Sequence, residues 1–253
     1  FENIIVKKNF SIIGIHDHSY LIGSENMEQV ERNGQSSVRQ RLWRIRAKHV
    51  ILATGAIERP LVFAGNDIPG VMLCSAALEF YKLYGVSPGD RVVVLTNNDS
   101  AYSSVIELFN AGISVPLVID VREKSDGNLP LKAKKLGIRV EFSKAISKVI
   151  GKKKVKAVEL CSVVGEGAVL ETIICDSVLM SGGWTSTLNL WSHCGGKIKW
   201  DSKLNTLVPD ESFPSINEFG RSFITVLGSA DGKFWPSDLF ANIEQKLSTL
   251  YSE

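Results

Sequence analysis

Three apolar runs in this 253-residue chain end on glycine: Val50-Ile51-Leu52-Ala53-Thr54-Gly55, Val178-Leu179-Met180-Ser181-Gly182-Gly183, and Phe223-Ile224-Thr225-Val226-Leu227-Gly228 with Asp231 three residues on. Runs of Val, Ile and Leu read as buried parallel strands, and a glycine at the exit lets backbone pass close to a bound group. That is the chemistry of holding a dinucleotide by its pyrophosphate and ribose. One such exit is weak evidence, because any α/β protein can place glycine after a strand. Three in this order make Ala53, Thr54, Gly55, Gly182, Gly183, Gly228 and Asp231 candidates for cofactor contact. Arg59, beside the first exit, joins them as a phosphate or flavin contact, with an ion pair to Glu58 or Asp67 as the alternative.

The phosphate-gripping fingerprint itself is missing. No Gly-x-Gly-x-x-Gly precedes the first exit, and in a second βαβ unit the three glycine places hold Thr96, Asn98 and Ala101, of which only alanine is an accepted substitute. A side chain at Asn98 would stand where a pyrophosphate must touch backbone. Asp99 adds negative charge at a helix N-terminus, and a capping role for it is favoured over any phosphate role. Asp120, at the end of the next strand, occupies the place of a ribose-binding acid or is an ordinary loop acid. No catalytic set and no metal set is written here. His16, His18, His49 and His193 share no useful spacing, Ser181 and Ser229 lack a nucleophile elbow, and Cys74, Cys161, Cys175 and Cys194 form no Cys-x-x-Cys. Trp184, Trp191 and Trp200 fit core packing better than an interface.

The elements that must position these residues follow from pattern. Residues 9–25 read as a hairpin about Asp17-His18-Ser19, residues 26–41 with Asn33-Gly34 as an exposed loop, and Leu42–Arg46 as a third strand of a small antiparallel sheet. After the prolines at 60 and 69 come a helix over 75–84, a strand over 91–96, a helix over 100–111 with Gly112 as C-cap, and a strand over 115–121. A short helix over 130–136, a strand over 138–142, then a hairpin over 145–160 and a returning strand over 169–180 are expected to complete the same sheet. A Thr-capped helix to Trp191 and a last helix over 237–251 close the chain. The fold class is α/β. A partial Rossmann-like FAD/NAD-binding-type domain is expected from 1–69 with 209–253, and an inserted Rossmann-like domain with a degenerate fingerprint from 70–208.

Composition bounds the partners. Twenty-nine basic against twenty-seven acidic residues are nearly balanced, which calls for neither nucleic acid nor a membrane surface, and Lys152-Lys153-Lys154 reads as a solvated turn. The cysteine usage, the lack of a signal peptide and the lack of a long apolar span suggest a reducing, cytoplasmic setting.

The runs Gly55-Ala56-Ile57-Glu58-Arg59-Pro60-Leu61-Val62-Phe63, Asn66-Asp67-Ile68-Pro69-Gly70-Val71-Met72, Tyr84-Gly85-Val86-Ser87-Pro88-Gly89-Asp90-Arg91-Val92-Val93-Val94 and Thr96-Asn97-Asn98-Asp99-Ser100-Ala101-Tyr102 resemble the alpha subunit of heterotetrameric sarcosine oxidase. So do Ser181-Gly182-Gly183-Trp184-Thr185 and Gly228-Ser229-Ala230-Asp231-Gly232. The Glu-Arg-Pro and Pro-Gly-Val-Met portions are shared more widely with amino-acid and opine dehydrogenase subunits. The resemblance implies an oxidoreductase acting on CH–NH donors, in which sarcosine is demethylated to glycine with release of peroxide and transfer of a one-carbon unit to tetrahydrofolate. It also implies FAD on a beta subunit, FMN at the alpha–beta interface, NAD on the alpha subunit, and small subunits completing a hetero-oligomer. This chain would be an internal part of that alpha subunit, holding part of the NAD site and inactive alone. The alternatives are an assembly module that no longer binds nucleotide and a subunit of an opine or secondary-amine dehydrogenase complex.

Overall fold

The computed structural model describes residues 3–32, 35–217 and 219–252. The chain forms two compact units, residues 1–57 with 185–253 and residues 58–184.

The second unit is built on a five-stranded parallel sheet in the order Val71–Leu73, Ser177–Ser181, Arg91–Thr96, Ser114–Asp120, Val140–Phe142. Its central strands are uninterrupted apolar runs because both faces are covered, and alternate side chains serve opposite faces. Val92 and Val94 pack with Ala77, Ala101, Tyr102, Val105 and Leu108 of the helices Cys74–Tyr84 and Ser100–Asn110. Val93 and Leu95 pack with Ile146, Val149, Val158, Leu160 and Ile173. Full burial of each such side chain stabilises by roughly 1.5–3 kcal/mol. The first helix ends at Gly85 (φ 64), whose N–H bonds the carbonyls of Phe80 and Tyr81. After the second, Gly112 turns the chain at φ 89.

The covering of the other face corrects one expectation. Residues 144–174 do not extend the parallel sheet; Lys144–Gly151, Val155–Ser162 and Val169–Ile174 make a separate antiparallel sheet, and only Ser177–Ser181 returns to the parallel one. The reason is the apolar face of Val93, Leu95, Leu117 and Ile119, which a second sheet buries and further edge strands would not. Lys152, Lys153 and Lys154 form the exposed turn of its first hairpin.

The first unit carries an antiparallel sheet of Phe10–His16, Tyr20–Arg32 and Gln35–Arg46, turning through His18 (φ 60) and Ser19 (φ 54). Residues 26–32 and 35–41 are therefore arms of a long hairpin, with Asn26 paired to Gln40 and Val30 to Ser37, rather than a loop. A ladder is satisfied by backbone groups, so polar sequence without periodicity can extend one that the apolar part has put in register. Asn33-Gly34 lies outside the described residues. The strands Val50–Leu52 and Ile224–Val226 pair in parallel, Ile198–Asp201 pairs antiparallel with Thr206–Pro209, and the helix Pro236–Ser252 ends the unit. Ile15, Val50, Leu52, Trp191, Phe223, Ile224 and Val226 form the core, whereas Trp200 is 57% exposed. The Thr-capped helix is also corrected. The helix is Asn189–His193, with Leu188 at its N-cap and no side-chain cap, because Thr185 lies in the strand Trp184–Ser186 that precedes it.

Candidate functional site

In the first unit, Val50–Leu52 and Ile224–Val226 run side by side, and Leu227 N–H donates to Leu52 O at 2.9 Å, so the exits at 53–55 and 228 leave the same end of the pair. Ala53 and Thr54 are exposed. Thr54 Oγ1 donates to Thr187 O at 2.7 Å, and Gly55 O accepts from Thr187 N at 3.0 Å, which fixes the exit from behind. Gly55 has φ 72 with nothing within 4 Å of an added Cβ, so it is required for backbone direction. Gly228 (φ 69) opens the 3₁₀ turn Gly228–Asp231. Its N–H donates to Asn242 Oδ1 at 3.3 Å, and Asp231 Oδ2 accepts from Asn242 Nδ2 at 2.9 Å and pairs with Lys246 Nζ at 2.8 Å. Lys246 also reaches Glu211 Oε1 at 2.6 Å and Val226 O at 3.2 Å. Burial opposes charge on that ammonium, but its bonds to Asp231 and Glu211 outweigh burial and hold its pKa above the ordinary lysine value. Asp231, Asn242, Lys246 and Glu211 line a cavity of about 820 Å³ with His49, Lys199 and Lys233.

In the second unit, Arg59, Gly182 and Gly183 come together. Arg59 N–H donates to Gly183 O at 2.8 Å and Gly182 N–H donates to Arg59 O at 2.7 Å. Among the described residues Arg59 forms neither of the ion pairs weighed for it. Glu58, 4% exposed, instead accepts from Ser75 N at 2.8 Å and Ser75 Oγ at 2.6 Å in the first turn of the Cys74–Tyr84 helix.

Asp99 does not cap the Ser100–Asn110 helix through its side chain. Asn98 does this, its Oδ1 accepting from Ser100 N at 3.1 Å and Ser100 Oγ at 2.5 Å, while Asp99 Oδ1 is drawn away by Arg122 Nη2 at 2.7 Å and Ser125 Oγ at 2.9 Å. Asp120 is neither a free ribose acid nor a loop acid. It is fully buried, accepting from Tyr102 OH at 2.8 Å and from Arg122 Nε and Nη2 at 3.0 and 2.7 Å. Burial and then the charge of Asp120 push the Tyr102 hydroxyl well above its usual range. Burial opposes the Arg122 charge, but the bonds to Asp120 and Asp99 raise its pKa further.

Among the described residues no acid–base pair is assembled at either exit. His193 Nδ1 accepts from Ile15 N, and His49 Nε2 lies 2.9 Å from Thr225 Oγ1. Burial, and then the charge of Glu58, raise the Cys74 thiol pKa, and Cys175 is pushed up to about 12 by burial first, so neither is a thiolate nucleophile. Among the described residues no group of three His, Cys, Asp or Glu could hold a metal, and no helix is long and apolar enough to cross a membrane. Sequence reasoning missed Asn242, Lys246 and Arg122. The first two lie four residues apart on one helix face, a spacing that could have flagged them.

No protein-family model matches the chain. The sarcosine oxidase alpha subunit of Corynebacterium sp. (strain P-1) is 35% identical over 210 residues, 79% of this chain and 21% of that protein. That of Rhizobium meliloti (strain 1021) is 33% identical over 224 residues, 88% and 22%. An opine oxidase subunit of Agrobacterium tumefaciens (strain Ach5) is 25% identical over 177 residues, 63% and 35%. Of solved structures, L-proline dehydrogenase from P. horikoshii has a TM-score of 0.53 at 22% identity, covering 88% of this chain and 38% of that one. Lactococcus lactis thioredoxin reductase has 0.65 at 16%, covering 96% and 73%. The chain spans about a fifth of the length of the sarcosine oxidase alpha subunits it matches. With a Rossmann-type α/β fold of the kind found in those solved structures, it is similar over most of its length to a segment of sarcosine oxidase alpha subunits.

Proposed function

We propose that this chain is part of the alpha subunit of a sarcosine oxidase-type complex, where it forms one wall of an NAD site and a share of the subunit scaffold. The complex would oxidise a CH–NH donor, demethylating sarcosine to glycine with release of peroxide and transfer of the one-carbon unit to tetrahydrofolate. FAD would lie on the beta subunit, with FMN at the partner interface, in the cytoplasm. The observation that carries the NAD reading is the pair of exits at one sheet end, with Ala53 and Thr54 exposed and Gly55 unobstructed. The residues fit a dinucleotide in part. Backbone at 53–55 and 228 can approach a pyrophosphate, and Asp231, with Oδ2 held by Asn242 and Lys246, keeps Oδ1 for a ribose hydroxyl. When bound, NAD brings hydride-transfer chemistry; the chain's own residues bind and orient, and none of them is placed to move a proton.

The wall is incomplete by itself. Among the described residues Val50–Leu52 has a single strand neighbour, and Ile4, Ile5 and Val6 are 63%, 86% and 76% exposed. Parallel sheets are ordinarily covered and wider than two strands, so further strands of the assembly would supply the phosphate-gripping half. Weak or no binding of NAD or FAD by the isolated chain follows.

Two other readings have support. An assembly module without nucleotide is favoured by the engagement of Asp231 with Lys246 and Asn242. An opine-type complex is favoured by the match to the opine oxidase subunit. Denaturing the natural polypeptide that carries this sequence, purified with its partners, should release NAD. Release of no nucleotide would leave the assembly-module reading, and turnover of opines without sarcosine would select the third.

A further inference from the structure

Ligands of open α/β sheets sit beyond the carboxyl ends of the strands where strand order reverses. In the second unit that place lies between Arg91–Thr96 and Ser177–Ser181, since the chain runs from the former by way of a helix to Ser114–Asp120 on the opposite side. The crevice is bridged by side chains. Asn98 Nδ2 donates to Ser181 O and Oγ at 3.2 and 3.0 Å, and Trp184 Nε1 donates to Ser100 Oγ at 2.8 Å. A pyrophosphate has no bare backbone turn to rest on there. Nor is Arg122 available to it, being bound to Asp99 and Asp120.

Arg59 makes no ion pair among the described residues, and its Nε is buried without a hydrogen-bond partner. Its guanidinium lies against Gly183, where φ is 86° and an added Cβ would stand 2.8 Å from Nη2, so the glycine makes room for it. The neighbouring Glu58 carboxylate is occupied by Ser75. An unpaired guanidinium N–H is costly to bury, and its best acceptor is a planar or tetrahedral oxyanion. We infer that this crevice binds a small anionic group, a carboxylate or a phosphate monoester, on the Arg59 guanidinium beside Gly183, in place of a dinucleotide. The inference is independent of NAD binding in the first unit.

The test uses the full chain labelled with ¹⁵N and titrated separately with inorganic phosphate and with acetate. The Arg59 Nε–Hε resonance, assigned by its loss in Arg59→Lys, and the Gly183 amide are followed. Saturable displacement not reproduced by sodium chloride at equal ionic strength is expected, with phosphate alone indicating a phosphate monoester and acetate alone a carboxylate. In Arg59→Lys, which keeps the charge and removes the Nε–H, the affinity read at Gly183 should fall about tenfold or more. No displacement by either probe, displacement equal to that by chloride, or unchanged affinity in Arg59→Lys overturns the inference.

Discussion

Replacing Arg122 by Ala strikes the most heavily committed charge in the second unit. The substitution removes the bonds at 3.0 and 2.7 Å to Asp120 and the one at 2.7 Å to Asp99. It leaves the fully buried Asp120 carboxylate with only Tyr102 OH and the backbone N–H of residue 122 as donors. Stripping one partner from a buried pair costs roughly 3–5 kcal/mol. The Arg122 side chain is 30% exposed, so water recovers part of that and the expected loss is about 2–4 kcal/mol. Hydrogen exchange at the Val93 and Val94 amides reads this unit alone, and the loss corresponds to roughly 30- to 1,000-fold faster exchange where exchange follows the opening equilibrium. An acceleration below about fivefold would show that the cluster is not the buried charge network described.

Glu58→Ala should cost about 1–2 kcal/mol in a urea melt, since the carboxylate oxygen that accepts from both Ser75 N–H and Ser75 Oγ in the first helix turn is lost, and Glu58→Gln should cost less. Gly183→Ala should destabilise by roughly 1–3 kcal/mol and exceed Gly55→Ala, because position 183 combines φ 86 with the Arg59 contact while position 55 has open space; equal costs by denaturant titration would refute the packing of Arg59. Lys246 has a raised folded pKa, so its contribution is present below the ordinary lysine value of 10.5 and lost as pH rises through the folded value. Wild type should therefore shed about 0.5–1 kcal/mol above that pH, an increment absent from Lys246→Met in thermal melts across the range.

The parallel sheet of the second unit was readable because strands buried on both faces cannot hide their composition, as Arg91–Thr96 and Ser177–Ser181 illustrate. The glycine exits were readable for a related reason, since positive φ at Gly55, Gly183 and Gly228 leaves a residue-type signature. The hairpin arms over 26–32 and 35–41 were not, because ladder bonds between backbones carry no side-chain pattern. Nor did sequence show that Asn98 rather than Asp99 would cap its helix. That choice was decided by Arg122, 23 residues away, whose pull on Asp99 is tertiary. Arg59 is legible in the sequence as a charge in an otherwise apolar loop, yet its lack of an ion pair among the described residues depends on Glu58 facing Ser75, which nothing in the Glu-Arg-Pro run reveals.

The proposed nucleotide wall at the two exits is tested most directly by Ala53→Trp in the natural polypeptide purified with its partners, with NAD released on denaturation counted per chain. Ala53 is exposed, so the indole disturbs no core contact while covering the ground between Thr54 and the sheet end. The account predicts NAD falling from near stoichiometric to near none, with the melting temperature of this chain's core unchanged. Undiminished NAD content in a folded variant would contradict it.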